Sequence, residues 1–310
     1  MARVSKYSIL LLLVLSCILN SCLSEVKQGN PELKRVGFAY NLSSPDSVYY
    51  LDDDLLEISG ISWYGDNKIA CIQDEQGIIY MFDTSEGKVT GSYKFGKNDD
   101  YEDIAVFNDT AWILSSKGII YKVTDFTDEK LKVTSYSTLL SAKNNSEGLA
   151  YDLSNNNLLI ACKNQSEIKG QAKLPGFKAI YRFRTTDNNL IKNPEFLIDL
   201  EQFNDYEETR YFKKVSLKLA KKLNLVDNAG FQPSGLAIHP FNDEIYVISA
   251  TPGMLIVMDR SGDVRNILPL DKRIFKQPEG ICFSPEGDLF ISNEVNNGRG
   301  NILKFNYIPI

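Results

Sequence analysis

Histidine is almost missing from this chain: His239 is the only one in 310 residues. A histidine-rich zinc centre is therefore excluded, and a Ser-His-Asp triad would have to be built on that one ring. His239 itself follows an apolar run and precedes a proline, which reads as a structural position. An excess of basic residues is also lacking. Lys and Arg number 34 against 40 Asp and Glu, for a formal charge of −6 and a pI near 5.1. That balance leaves no electrostatic footprint for nucleic acid. With only five cysteines, a disulfide-dense scaffold is excluded as well. The longest apolar run, residues 9–19, is too short to cross a membrane comfortably as a helix. Aromatic residues are plentiful instead. Sixteen Tyr and sixteen Phe beside four Met lean the chain towards β-structure.

The apolar run has an address-like setting. Arg3 and Lys6 precede it, and Leu19-Asn20-Ser21-Cys22 follows it. A basic start, a short apolar stretch and a small residue before a cut describe a secretory signal. The four residues up to Cys22 resemble a bacterial lipobox, although Asn20 is a less usual choice there. An ordinary signal peptide with an incidental cysteine, and cleavage at Cys17, are the competing readings. The lipobox reading makes residues 1–21 a signal peptide, 22–32 a tether lipidated at Cys22, and 33–310 the folded domain. Each buried acyl CH₂ contributes about 0.8 kcal/mol, so several chains hold such a domain at a bilayer. With Leu23 after Cys22, resemblance to Gram-negative sorting implies retention at the outer membrane, on its periplasmic or surface face. The remaining cysteines, Cys71, Cys162 and Cys282, each lie in an apolar strand-like run and read as buried free thiols.

Internal repeats decide the fold class. Five segments begin alike: Ile58-Ser59-Gly60-Ile61, Tyr101-Glu102-Asp103-Ile104, Ser146-Glu147-Gly148-Leu149, Pro233-Ser234-Gly235-Leu236 and Pro278-Glu279-Gly280-Ile281. Each is followed by a turn rich in Asn, Asp, Gly or Pro and by a second apolar run. A third follows, such as Ile78-Ile79-Tyr80-Met81-Phe82 or Ile119-Ile120-Tyr121-Lys122-Val123. Short, evenly spaced strands with turn chemistry between them predict blades of a β-propeller. The expectation is an all-β, five-bladed ring. One gap, between Glu147 and Ser234, is about twice the others and leaves a six-bladed ring as the alternative. Residues 201–228 carry Phe212, Val215, Leu217, Leu219 and Leu223 among lysines, which predicts a helical insertion in or after blade 3 rather than a sixth blade. The basic stretch 213–222 would be its solvated face or a membrane contact. The fifth unit lacks an outer strand, and 33–42, with Val36, Phe38 and Tyr40 alternating, is the expected donor. Closing the ring in this way removes exposed sheet edges.

In a propeller the first strand of each blade lines the axis, so matched positions form a ring: Ser59, Glu102, Glu147, Ser234 and Glu279. Three carboxylates at one depth would either rise in pKa or hold a cation. Oxygen-only ligands favour Ca²⁺. The second strands return to the same end and contribute Asp74, Lys163, Asn293 and Glu294 beside Gln73, Glu75, Ser115, Ser116, Asn164 and Ser249. The plain alternative is that Glu-Gly and Ser-Gly only punctuate turns.

The order of these units, with the segments QPEGICFSPEGDLFISNE and GLAYDLSNNNLLIACK, resembles the SdiA-regulated family of bacterial envelope propellers over about residues 33–310. It is more distantly similar to NHL-repeat propellers and to calcium-dependent lactonases. The resemblance implies a five-bladed ring with a calcium site at Glu102, Glu147 and Glu279, and it implies no established reaction. Asp103 departs from the glycine usual at its position. Two functions follow as expectations. The first is a membrane-anchored module binding a small molecule, a glycan or an envelope protein. The second is a calcium-dependent hydrolase of lactones, esters or phosphoesters, with Glu147 or Glu279 as base and Lys163 stabilising negative charge. Against the second, lactonase-like propellers mix Asn and Asp into the metal shell.

Overall fold

Alternation and turn chemistry repeat through the chain, and the strands follow them. The computed structural model describes residues 37–128, 130–203, 230–294 and 298–309. The signal and tether expected over 1–32, Cys22 included, lie outside the described residues. So does the expected insertion, apart from a 3-10 turn at Leu200–Phe203. Among the described residues no helix is long and apolar enough to cross a membrane.

Strand β1 (Ser47–Tyr50) comes first. Blade 1 follows as β2 (Ile58–Gly65), β3 (Lys68–Gln73), β4 (Ile78–Asp83) and β5 (Lys88–Lys94). Blade 2 is β6 (Tyr101–Phe107), β7 (Thr110–Ser115), β8 (Ile119–Thr124) and β9 (Lys132–Ser137). Blade 3 is β10 (Ser146–Asp152), β11 (Asn157–Cys162) and β12 (Phe177–Arg184), with β13 (Asn189–Leu190) and β14 (Phe196–Asp199) both paired to β12. Blade 4 is β15 (Gln232–Ile238), β16 (Ile245–Thr251), β17 (Met254–Met258) and β18 (Val264–Pro269). Blade 5 is β19 (Pro278–Phe283), β20 (Leu289–Asn293) and β21 (Asn301–Phe305), completed by β1. The five inner strands β2, β6, β10, β15 and β19 pack on one another in sequence, and β19 returns to β2. The ring is closed with five blades.

Turn residues carry the hairpins. Between β2 and β3, Gly65 pairs with Lys68, and the two loop residues Asp66 and Asn67 have φ of 47° and 59°. That is the primed turn whose twist matches the strands it joins, at residue types that tolerate it.

The closing strand is not the expected one. β1 pairs with β21, Ser47 opposite Lys304 and Tyr50 opposite Asn301. The alternating residues Phe38 and Tyr40 instead pack between blades 4 and 5, against Tyr246 and Phe283. There the Tyr40 hydroxyl donates to Gly287 O at 2.6 Å and meets His239 Nε2 at 2.9 Å. His239 is 1% exposed and its pKa is held down by burial, which makes it a core histidine.

The core lies in five layers between blades, assembled by one rule. The residue two places after each ring position is large, and the next is small. Ala105 meets Leu149, Ala150 meets Leu236, Ala237 meets Ile281, and Cys282 meets Ile61. Successive strand residues face opposite sides of a blade, so each blade inserts a large side chain one way and offers a small one the other way. Cys71, Cys162 and Cys282 are buried free thiols in these layers, with pKa values raised by burial.

Candidate functional site

The upper end of the ring is where the inner strands begin and the second strands return. Each inner strand carries a bulge there. Pairing jumps from Tyr101 to Asp103, from Ser146 to Gly148 and from Pro233 to Gly235, and in blades 1 and 5 from Ile58 to Ile61 and from Pro278 to Ile281. The ring position, Ser59, Glu102, Glu147, Ser234 or Glu279, is left out of the ladder in every blade, alone in blades 2, 3 and 4 and together with Gly60 or Gly280 in blades 1 and 5. A bulge re-aims the side chain it frees. Repetition in five blades makes it a device of the fold, and one that pairing register alone reveals.

The three glutamates act on one another across the ring. Burial pushes Glu102 up to about 9, with Glu147, Asp100 and Glu279 adding to the rise. Burial likewise raises Glu279 to about 8, helped by Glu147, and Glu147 to about 7. Glu147 is held lower because Lys163 Nζ lies 2.7 Å from its Oε1 and Asn145 Nδ2 donates to the same atom at 2.6 Å. Lys163 gains in return. Burial alone would lower its pKa, but Glu147, Glu279 and Glu102 outweigh that and raise it. One ammonium therefore faces three carboxylates on one axis.

The other expected residues divide. Asp74 is half-buried, and burial with Glu57, Glu75 and Glu294 pushes it up to about 6; its Oδ1 has no partner. Glu294 is raised by burial and by Glu57, and it accepts from Gln277 Nε2. Asn293 is fully buried. Its Nδ2 donates to Asn301 Oδ1 at 3.0 Å, while its own Oδ1 has no partner. The two serines of the ring stay with the scaffold. Ser234 Oγ donates to Pro278 O at 2.7 Å, and Ser59 is buried with its carbonyl accepting from Ser292 Oγ at 3.0 Å.

Sequence reasoning treated Asp103 as a departure and missed what it does. Directly below the ring position, four blades have glycine. A Cβ on Gly235 would lie 2.5 Å from Glu279 O, and one on Gly280 would lie 2.6 Å from Ser59 O. The inner strands approach too closely there for side chains. Blade 2 supplies the one side chain in this layer. Asp103, 1% exposed, accepts from Ile104 N at 2.8 Å and Leu149 N at 2.6 Å, and also from Leu236 N. Its carboxyl ties blades 2, 3 and 4 together, and burial pushes its pKa well up despite three donors.

A metal test can be made on these residues. All donors are oxygens, which suits a hard cation such as Ca²⁺. Among the described residues the buried Oδ1 atoms of Asp74 and Asn293 are orphaned. Among the described residues, no three Asp, Glu, His or Cys are already drawn to metal spacing. The donor chemistry fits the ion, while Lys163 is the cation that Glu147 holds in this geometry.

Comparison with solved structures places the fold among known rings. The glutaminyl cyclase of Myxococcus xanthus is similar with a TM-score of 0.55 at 11% identity, over 86% of this chain and 97% of that one. A luciferin-regenerating enzyme (TM-score 0.48, 11% identity, 84% and 95% covered) and a streptogramin B lyase (0.46, 15%, 84% and 97%) also match. At 11% identity the first of these likenesses speaks for the fold alone, and nothing is drawn from the other two. No curated protein matches the sequence. One family profile does, over residues 45–297, from β1 and the start of blade 1 to the end of β20, and by that match the chain belongs to the SdiA-regulated family.

Proposed function

We propose that this chain is a lipid-anchored envelope protein whose propeller serves as a binding module, with a calcium ion held among Glu102, Glu147 and Glu279. What supports the ion is the bulged ring. Burial, helped at Glu102 and Glu279 by neighbouring carboxylates, raises Glu102, Glu147 and Glu279 from three blades to about 9, 7 and 8 around a single ammonium. A divalent cation relieves that repulsion and ties blades 2, 3 and 5 together. Asp74, Lys163 and Glu294 surround the same mouth and shape what docks there, with Ser59, Ser234 and Asn293 buried behind them. The occupant is a small molecule, a glycan or another envelope protein. Anchoring rests on the lipobox-like Leu19-Asn20-Ser21-Cys22, with the outer membrane as destination.

The test is metal content and melting temperature of the purified chain, with calcium and with chelator. Bound calcium together with a melting temperature that falls on chelation supports the reading. No calcium and no change on chelation sinks the metal site.

A second reading, hydrolysis of a lactone, ester or phosphoester, is favoured by one observation: the Glu147 pKa of about 7 suits a general base. In that reading Glu147 takes a proton from water and Lys163 offsets the developing negative charge. Bound calcium would supply polarisation of the carbonyl or phosphoryl oxygen. A panel of such substrates separates the two, because activity lost in Glu147→Gln at unchanged calcium content supports hydrolysis. Background activity in the wild-type protein removes it.

A further inference from the structure

The ring has a second concavity, at the end where the inner strands finish. A cavity of about 430 Å³ opens there, lined by the last residues of β2, β6, β10, β15 and β19 and by the turns that follow them. None of the carboxylates of the upper ring lines it. Asp103 and the aliphatic layer of Ile61, Ile104, Leu149, Leu236 and Ile281 lie between the two ends. The volume falls in the range of small-molecule sites, roughly 300–1,000 Å³.

Its chemistry is opposite to that of the upper ring. Inner strands emerge with aromatic residues: Trp63, Phe107, Tyr151 and Phe283. Phe107 and Tyr151 lie parallel with ring centroids 4.6 Å apart. At the rim, Leu153 and Phe241 stay 62% and 56% exposed, Phe241 with one side against His239 and Tyr307 and the rest of its ring uncovered. The guanidinium at the site is already engaged by two carboxylates. Arg260 forks Asp152 at 2.9 and 3.1 Å and reaches Asp243 at 2.8 Å, and His239 is bonded to Tyr40. Among the described lining residues no cation is left to hold an anion.

We propose that this lower cavity is a second ligand site, taking an uncharged, flat and mostly apolar small molecule that packs on Phe107, Tyr151 and Phe241. It is separate from the upper mouth and does not depend on a metal there.

Fluorescence titration of the full chain with N-phenyl-1-naphthylamine, an uncharged two-ring dye, tests this. The expected result is saturable binding of one dye per chain. Phe241→Ala weakens it about tenfold, roughly the worth of one aromatic contact, with only a small fall in melting temperature, because Phe241 is 56% exposed and loses only its edge contacts to His239 and Tyr307. Glu102→Gln, at the other end, leaves dye binding unchanged whatever it does to calcium. The anionic 8-anilinonaphthalene-1-sulfonate binds at least tenfold more weakly. Non-saturable binding, or wild-type affinity in both Phe241→Ala and folded Phe107→Ala, overturns the site. Equal affinity for the two dyes overturns the uncharged class.

Discussion

Asp103 offers the sharpest test of how the ring is held. Replacing it by glycine gives blade 2 the residue that the other four blades carry at this depth. Two backbone N–H groups from other blades, Leu149 at 2.6 Å and Leu236, then lose their acceptor. A buried donor left unpaired costs about 1–3 kcal/mol, and glycine within a strand adds about 0.5–1 kcal/mol. Removing the carboxyl also relieves its own burial, whose desolvation raises its pKa, so the net loss lies near the lower end, about 3 kcal/mol. For a domain of this size each kcal/mol moves the melting temperature by about 2–4 °C. Thermal unfolding followed by circular dichroism should therefore show a fall of about 6–12 °C. Asp103→Asn keeps one acceptor but turns an amide donor towards a second N–H, so it should fall between the two. A glycine variant as stable as the wild type would refute the idea that this carboxyl ties three blades.

Two other consequences are open to the same measurement. Gly235→Ala and Gly280→Ala place a Cβ within 2.5–2.6 Å of a neighbouring carbonyl oxygen. Each should lower stability by at least about 1–3 kcal/mol, and unchanged melting would mean that the inner strands separate freely. Lys163→Met leaves Glu147 buried without its ammonium, and breaking such a pair costs about 3–5 kcal/mol while the carboxylate stays charged. Glu147 already has a folded-state pKa above its ordinary value, so its contribution is present in acid and lost as pH rises through about 7. Losing Lys163 moves that loss further. Melting curves of variant and wild type should converge near pH 5 and separate above pH 7, and a constant gap would contradict the pairing.

Blade number was legible because Ser-Gly or Glu-Gly recurs just where β2, β10, β15 and β19 begin, with Glu-Asp in its place at β6. The closing strand was not, because the expected donor 33–42 alternates in sequence as a strand would. Phe38 and Tyr40 alternate to fill the aromatic cluster around His239, whereas Ser47–Tyr50 alternates as an outer strand with one face exposed. Periodicity cannot tell these apart; only the partner strand β21 does. The three glutamates could be found because they share a column of the repeat. Asp103 could be seen as an oddity, but its partners Leu149 and Leu236 lie in other blades. The commitment of Ser234 Oγ to Pro278 O is likewise a contact between blades that no local pattern announces.

The central claim, that the upper carboxylates are a cation site, is tested most directly by calorimetric titration of calcium into the metal-free chain. Glu102, Glu279 and Glu147, raised to about 9, 8 and 7, are partly protonated near pH 7.5 and must lose protons when a cation binds. A cation site there takes up one calcium per chain, with binding heats that differ between buffers of different ionisation enthalpy and affinity that rises with pH. Both the heat and its buffer dependence should vanish in the double variant Glu102→Gln and Glu279→Gln. A wild-type protein that takes up no calcium, or takes it up without releasing protons, would contradict it.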